Sequence, residues 1–281
     1  MPSGPLVSVI TPAYRARGLI AEAAQSLIGQ TYPNWEMIVV SDDGSDYCPV
    51  LPEDSRISQV FTRGIATGPG AARNAGLVHA KGEFVAHLDA DDYFLPERIG
   101  RLLPLAMECG GAIDNMRILD HARGCEITRL FDAPGRRLGF CEAAGLNFPL
   151  FPLYRRELVG RWDEDIDFAE DVLFNLRAIS RIGGLALCGE TLMAYRVRAG
   201  SLSCSADSGA RAEAAYAEIL GRLEGGGLDF PPEVFETVKR VFLRKAELNR
   251  AFVGAGRAES FAEYAARLDA KRELPQNSGC N

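Results

Sequence analysis

The chain has 281 residues, of which 47% are hydrophobic and 25% charged, a composition that is typical of globular proteins and excludes a disordered chain. Its formal net charge of −7 disfavours a nucleic-acid-binding protein, because such proteins carry a basic surface. No apolar run is long enough to span a bilayer, and residues 1–6 lack the basic and apolar segments of a signal peptide. We therefore expect a cytoplasmic protein.

The cysteines indicate neither a disulfide framework nor a zinc site. There are seven of them, scattered along the chain, and no two form a C-x-x-C pair. Only three histidines accompany them, so the usual ligand sets of zinc are not present. Reduced thiols in the cytoplasm are the simplest interpretation.

Strands and helices are predicted to alternate in the N-terminal part of the chain. Apolar runs predict strands at residues 6–11, 35–41, 56–61 and 84–88. Apolar residues at helical spacing predict a helix at 19–29, and a second helix follows a glycine-rich loop at 64–70. Strands that alternate with helices in this way are typical of βαβ units and a mostly parallel sheet.

Acidic residues follow two of these strands. Asp42 and Asp43 follow the second strand, and Asp89, Asp91 and Asp92 follow the fourth. The carboxyl ends of parallel strands share one edge of the sheet, where such sheets bind ligands. Two acids one residue apart can hold Mg²⁺ and leave its other positions to water and phosphate oxygens. The alternative is an acidic turn that leads into a helix, since aspartate is also favoured in turns and at helix starts.

Two common nucleotide motifs are absent. The loop at 64–70 is not G-x-G-x-x-G and does not follow the first strand, which disfavours a dinucleotide site. No G-x-x-x-x-G-K-[ST] sequence occurs, so a P-loop is excluded. The glycines of the loop serve either a tight turn or the close approach of a ligand, and the sequence leaves both open.

A second acidic cluster lies at residues 163–171, after a less regular region with a predicted helix at 96–107 and strands at 111–120 and 126–131. The cluster does not match the calcium-binding loop of an EF-hand, because Phe168 and Phe174 occupy the positions where that loop requires glycine and glutamate. The apolar spacing that follows predicts a helix with Glu170 and Asp171 at its N-terminus. Acids at that position also stabilise a helix without any catalytic role.

The C-terminal part is predicted to be a loop followed by helices. Residues 195–203 are rich in arginine and serine and could close over phosphate oxygens, or form a solvated loop. Helices are predicted at 206–223 and from 232 to about 252. The second has an apolar face and several basic residues. We favour packing of that face on its own domain or on a second subunit over contact with an anionic membrane.

The motifs taken together resemble those of the inverting glycosyltransferases of family 2, which have the GT-A fold. In chain order they lie at residues 7–14, 26–32, 39–45, 72–76, 89–92 and 170–171. The resemblance covers about residues 6–203. It implies a Rossmann-like α/β fold of GT-A type, with a mostly parallel sheet flanked by helices. The catalytic domain would span residues 1–205, and a helical C-terminal extension would span residues 206–281.

The resemblance also implies roles for individual residues. Tyr14 would lie near the base, Asp43 would accept a hydrogen bond from uracil, and Asp89 would approach the ribose. The complete set implied for the nucleotide-sugar site is Pro12, Tyr14, Asp43, Arg73, Asp89, Asp91, Arg198 and Ser201. Asp91 would hold Mg²⁺ or Mn²⁺ on the diphosphate, and Asp171 matches the general base.

The implied function is metal-dependent transfer of a hexosyl or N-acetylhexosaminyl group, with inversion, from a nucleotide-sugar, expected to be a UDP-sugar, to an acceptor hydroxyl. The acceptor would be a glycan or a lipid-linked glycan in polysaccharide or cell-surface glycan synthesis. No nucleic-acid partner is expected. A homodimer or peripheral contact with the inner membrane face would form through the C-terminal helices.

Two alternatives stay open from sequence. A sugar-1-phosphate nucleotidyltransferase would carry a glycine-rich basic loop after the first strand, where this chain has Pro12-Ala13-Tyr14. A non-catalytic subunit of a glycan-assembly complex is disfavoured by the presence of both Asp91 and Asp171.

Overall fold

The computed structural model describes residues 4–131, 134–201, 204–256 and 260–269. Within them, ten strands form one sheet: β1 (Val7–Ala13), β2 (Trp35–Ser41), β3 (Ile57–Phe61), β4 (Phe84–His87), β5 (Tyr93–Phe94), β6 (Gly111–Asp120), β7 (Cys125–Arg129), β8 (Arg136–Gly139), β9 (Leu153–Arg155) and β10 (Gly184–Val197). The helices are α1 (Ile20–Ile28), α2 (Pro69–His79), α3 (Arg98–Cys109), α4 (Phe140–Ala144), α5 (Glu170–Ile182), α6 (Ser208–Glu224), α7 (Pro232–Gly254) and α8 (Phe261–Asp269). This confirms the predicted α/β class.

The N-terminal half of the sheet is parallel. Its strands lie in the order β3, β2, β1, β4, and each neighbouring pair is parallel. All four strands therefore end at the same edge of the sheet, as the alternation of strands and helices predicts. The first strand is central and its side chains are almost entirely buried, because helices cover both faces of the sheet.

Local sequence explains how the helices reach these faces. Helix α1 buries four apolar residues at helical spacing, and Pro33 lies in the segment that follows it. Helix α2 begins at Pro69 directly after Gly68, whose positive φ of 97° favours glycine. A side chain at Gly76 would come within 2.4 Å of Ile10, so this glycine allows α2 to pack closely on β1.

The second half of the sheet contains antiparallel strands. β9 lies between β4 and β6 and is antiparallel to both, whereas β6 and β10 are parallel. β10 is a fourteen-residue strand that the sequence interpretation missed. Its last residues, Tyr195 to Val197, pair with β6, so the predicted loop begins only after Val197. Of that loop, residues 202 and 203 lie outside the described residues.

The C-terminal helices pack on the sheet domain rather than standing apart from it. Helix α5 covers the sheet with one side and contacts α6 and α7 with the other. Val238, Val241 and Phe242 of α7 are buried in the same cluster as Leu173 and Leu176 of α5. The apolar face of α7 is therefore covered by its own chain. No helix among the described residues is long and apolar enough to cross a membrane.

We expect Phe242→Ala to destabilise the protein by about 3 to 5 kcal/mol, because Phe242 is fully buried and its removal leaves a cavity. The apparent Tm should fall by on the order of 10 °C. Leu243→Ala is the matched control, since the neighbouring side chain is 45% exposed and its loss should change the Tm little. Equal shifts in thermal unfolding for the two variants would contradict this packing of α7.

Candidate active site

The acidic turn after β4 lies beyond the carboxyl edge of the sheet, and its three aspartates differ in environment. Asp92 is almost completely buried and accepts a hydrogen bond from the Arg196 amide at 2.8 Å. Burial, together with the charges of Asp91 and Asp89, raises the pKa of Asp92 well above its ordinary value. The carboxylates of Asp89 and Asp91 retain solvent access. These two carboxylates are thus the members of the turn available to a ligand.

The end of β10 is attached to this turn. Arg196 donates a hydrogen bond to the Asp91 carbonyl at 3.0 Å and also pairs with Glu22 of α1. Arg198, one residue beyond β10, donates from Nε to the Asp91 carboxylate at 2.5 Å. Ser201 follows in a turn, where its amide donates to the Arg198 carbonyl at 3.2 Å. The segment predicted to cover a diphosphate therefore contacts the predicted metal ligand directly.

Asp43 lies in a dense hydrogen-bond network at the end of β2. Its carboxylate accepts bonds from the Arg15 amide at 2.7 Å, the Ser45 amide at 2.9 Å and the Tyr47 hydroxyl at 2.9 Å. Burial alone would raise the pKa of Asp43, but these hydrogen bonds outweigh it and lower the pKa to about 2. Asp43 is thus an anionic acceptor at neutral pH.

Pro12 and Tyr14 lie next to Asp43, at the end of β1. The Tyr14 ring is 46% exposed, and the Arg15 guanidinium lies 5.2 Å from its centroid. Pro12 is half-buried within the strand, opposite Val40 of β2. An exposed aromatic face beside an anionic acceptor suits the stacking and the hydrogen bonding of a nucleobase.

Asp42 organises the glycine-rich loop. Its carboxylate accepts hydrogen bonds from the Thr67 amide and the Gly68 amide, both at 2.9 Å, and from the Thr67 hydroxyl. A side chain at Gly70 would come within 2.5 Å of the Asp163 carbonyl. Gly70 thus allows the start of α2 to pack closely on the backbone of Asp163, a role that requires no ligand.

One buried arginine joins the acidic turn to the second acidic cluster. Arg73 of α2 pairs with Asp89 at 2.8 Å and with Glu170 at 3.1 Å. Its guanidinium lies over the Trp162 ring, 4.4 Å from the centroid, and only 7% of its side chain is exposed. Arg73 therefore positions the two acids relative to each other, and direct contact with a donor remains a prediction.

Glu170 and Asp171 open α5 directly after a strained residue. Ala169 has a φ of 63°, a conformation that costs a non-glycine residue about 1 to 3 kcal/mol. Burial, together with the Asp171 charge, raises the pKa of Glu170 to about 7 despite the opposing effect of Arg73. Burial also raises the pKa of Asp171, against the charges of Arg73 and Lys245. The carboxylates of both residues are therefore stronger bases than those of ordinary aspartate and glutamate side chains.

The preceding aspartates have structural partners. Each is held by an arginine from α5 or α6: Asp163 by Arg177, Asp165 by Arg222 and Asp167 by Arg211, at 2.5, 2.6 and 2.8 Å. Asp171 forms no such ion pair among the described residues. It lines a small cavity with Leu146 and Lys245. Asp171 thus differs from the aspartates before it, which are held by arginines, and its role as the general base stays a prediction.

Several residues of the site were missed by the sequence interpretation. Tyr47 binds Asp43, Trp162 stacks under Arg73, and Arg196 binds Asp92. Arg196 lies within the segment 195–203 and Trp162 directly precedes the acidic cluster, but their contacts join positions far apart in the chain. Tyr47 lies four residues from Asp43, and its spacing carried no recognisable signal.

The family model named Glycosyl transferase family 2 matches residues 8–121. The chain is 42% identical over 97 residues to WfgD of Escherichia coli, a UDP-Glc:alpha-D-GlcNAc-diphosphoundecaprenol beta-1,3-glucosyltransferase, and this match covers 34% of the chain and 38% of WfgD. It is 32% identical over 219 residues to the uncharacterized glycosyltransferase EpsJ of Bacillus subtilis (strain 168), covering 71% of the chain and 63% of EpsJ. The chain thus spans less than two thirds of the length of these relatives.

A solved structure shares the fold. The S. aureus TarS 1-349 structure in complex with UDP-GlcNAc superposes with a TM-score of 0.59 at 21% sequence identity. The match covers 95% of this chain and 91% of that one. It confirms the GT-A type of fold expected from the sequence motifs.

Proposed function

We propose that this chain, whose residues 8–121 match the model of glycosyltransferase family 2, transfers a sugar, with inversion, from a UDP-sugar to an acceptor hydroxyl in the synthesis of a cell-surface polysaccharide. The observation that carries this proposal is the link between Asp89, Arg73 and Glu170. Through it, the acidic turn that would hold the donor and the helix start that would activate the acceptor meet at one edge of the sheet.

The donor would bind across the ends of β1, β2 and β4. Tyr14 offers an exposed ring to the base, with Pro12 beside it in β1. Asp43 is an anionic acceptor for the uracil ring, and Asp89 lies where the ribose would follow. Because both Asp43 oxygens already accept protein hydrogen bonds, uracil would share or displace one of them.

The residues of the acidic turn fit a hard divalent cation. Among the described residues, no three His, Cys, Asp or Glu side chains converge on one point, so a cage made by the protein alone is absent there. Mg²⁺ is commonly held by one or two carboxylates together with substrate phosphates, and Asp91 supplies one accessible carboxylate. That carboxylate already pairs with a cation, the Arg198 guanidinium. Mg²⁺ or Mn²⁺ held by Asp91 would neutralise the leaving diphosphate as a Lewis acid.

Arg198 would change partner when the donor binds. It contacts Asp91 from a segment just after β10, and Ser201 lies in the following turn. A diphosphate at the acidic turn would offer oxygens to the guanidinium and to the serine hydroxyl. The segment would then shield the leaving group from water.

Asp171 would act as the general base. A single attack on an oxocarbenium-like centre from the face opposite the leaving group gives inversion and requires no covalent intermediate. The attacking hydroxyl loses its proton as it reacts, and a carboxylate of raised pKa suits that role. Arg73 would act as a positioning residue that fixes Glu170, the neighbour of the base, relative to Asp89.

The names of similar proteins support the donor and acceptor classes. WfgD is named for UDP-Glc as donor and a diphosphoundecaprenol-linked sugar as acceptor. TarS 1-349 was solved with UDP-GlcNAc. We therefore propose a glucosyl or N-acetylglucosaminyl donor and a glycan acceptor.

We expect UDP with Mn²⁺ to stabilise the protein more than GDP, CDP or dTDP, because Asp43 and Tyr14 match the uracil-binding positions of the family and Asp89 would meet the ribose 2′-hydroxyl that dTDP lacks. At a hundred times its dissociation constant, UDP should add about 2.7 kcal/mol to the free energy of unfolding. A thermal shift series measures this. A clear preference for GDP or dTDP would exclude uridine recognition, and no shift with any nucleotide would contradict a nucleotide-sugar site.

A further inference from the structure

A basic groove lies between α4 and α7. It is formed by α4, the turn at residues 145–147 that follows it, and α7, and it encloses about 290 Å³. This volume is near the lower end of the range for small-molecule sites, about 300 to 1,000 Å³. The groove is therefore sized for one sugar phosphate unit rather than for a peptide or a long chain.

The charge of this groove is opposite to that of the chain. The protein has a net charge of −7, yet the groove is lined by Arg240, Arg244 and Lys245 and by no acidic residue. The two arginines are one helical turn apart on α7, so they project on the same side. Neither arginine forms a salt bridge with any of the residues that the structure describes. Their charge is thus available to an anion.

The remaining lining suits a sugar phosphate rather than a bare ion. Asn147 and Thr237 contribute polar side chains, while Leu146 and Val241 contribute an apolar wall. Phosphate oxygens are bound by guanidinium groups, and sugar hydroxyls are bound by amides and hydroxyls.

The groove adjoins a smaller cavity that the proposed base lines. A smaller cavity of about 20 Å³ is lined by Asp171 and shares Ala144, Leu146 and Lys245 with the groove. Lys245 donates to the Leu146 carbonyl at 3.2 Å and so joins α7 to the turn between the two cavities. The phosphate of a ligand in the groove would therefore be separated from the cavity of Asp171 only by residues that line both.

We propose that this groove binds the phosphate of an anionic acceptor, a glycosyl phosphate or diphosphate, and thereby presents the acceptor sugar to Asp171. This inference rests on the proposed function, because it assigns Asp171 to the acceptor. It adds the chemical class of the acceptor and names Arg240 and Arg244 as residues that select it.

The test compares wild type with the Arg240→Gln/Arg244→Gln double variant. Both side chains are exposed, so the double variant should fold, and circular dichroism melting checks this. Arg250→Gln is the matched control, because Arg250 is an exposed arginine of the same helix that lies outside the groove and pairs with Glu213. UDP and Mg²⁺ are kept saturating, so that the donor site is filled.

Three probes distinguish the sources of phosphate: glucose 1-phosphate, a prenyl-linked glycosyl diphosphate in phosphatidylcholine vesicles, and phosphatidylglycerol vesicles without sugar. Binding is followed by phosphorus NMR for the first and by flotation for the vesicles. We expect wild type and Arg250→Gln to bind at least one of the first two, and the double variant to bind it about tenfold or more weakly. The probe that binds identifies a free or a lipid-linked acceptor.

Equal binding of the glycosyl phosphates by wild type and the double variant would overturn the proposal. Binding of phosphatidylglycerol vesicles alone would also overturn it, because the groove would then be a membrane contact. UDP affinity, measured separately, distinguishes this failure from failure of the proposed function. If UDP binds and no glycosyl phosphate does, the acceptor inference fails and the donor site stands.

Discussion

Asp171→Asn is expected to lower the turnover rate by about a hundred- to ten-thousand-fold, the range that general-base catalysis typically contributes. The substitution keeps the size of the side chain and its acceptor oxygen for the Val172 amide, but it removes the basicity. The affinity for UDP with metal should stay close to wild type, because the nucleotide contacts are assigned to other strand ends. Turnover with a UDP-sugar and calorimetric titration of UDP measure the two effects separately.

Two further variants in the same acidic cluster serve as controls for Asp171→Asn. Asp167→Asn removes an exposed acid that pairs with Arg211, and it should cost little activity. Glu170→Gln removes the negative charge that pairs with Arg73 and should cost less than the loss of Asp171. Normal turnover by Asp171→Asn would place the base elsewhere in the cluster. Loss of UDP binding or of folding in this variant would mean that Asp171 acts chiefly at the start of its helix.

Asp91→Asn is expected to abolish most activity, because Asp91 is an accessible carboxylate of the acidic turn and would hold the metal on the diphosphate. The same variant should lose the gain in UDP affinity that Mn²⁺ gives the wild type, which titration with and without EDTA measures. This second readout does not depend on the acceptor.

Asp92→Asn is the matched control for this experiment. Asp92 is buried and accepts the Arg196 amide, and an asparagine carbonyl can replace that acceptor. The loss of activity in this variant should be milder. Full activity of Asp91→Asn, or of the wild type in excess EDTA, would mean that the acidic turn is structural.

The parallel half of the fold was predictable because its signals are local. Apolar runs that end in acids located β2 and β4, and the alternation with helices placed their ends at one edge. The start of α5 at Glu170 also followed from apolar spacing. For these elements, the local apolar pattern was sufficient to predict their position in the chain.

The second half was less predictable because long-range pairing determines it. β10 was missed, although its fourteen residues include a buried apolar stretch, since bulges and glycines interrupt the pattern. The link from Asp89 through Arg73 to Glu170 joins three distant parts of the chain, and no local spacing encodes it. The basic groove likewise depends on how α7 meets α4.

The most direct measurement is proton NMR of the protein incubated with UDP-glucose or UDP-N-acetylglucosamine and Mg²⁺. We predict that UDP is released and that the first sugar product has the β configuration, opposite to that of the donor. The release should depend on both Asp91 and Asp171. Release of an α product first, or no release of UDP from either donor by the wild type, would contradict inverting transfer from these donors.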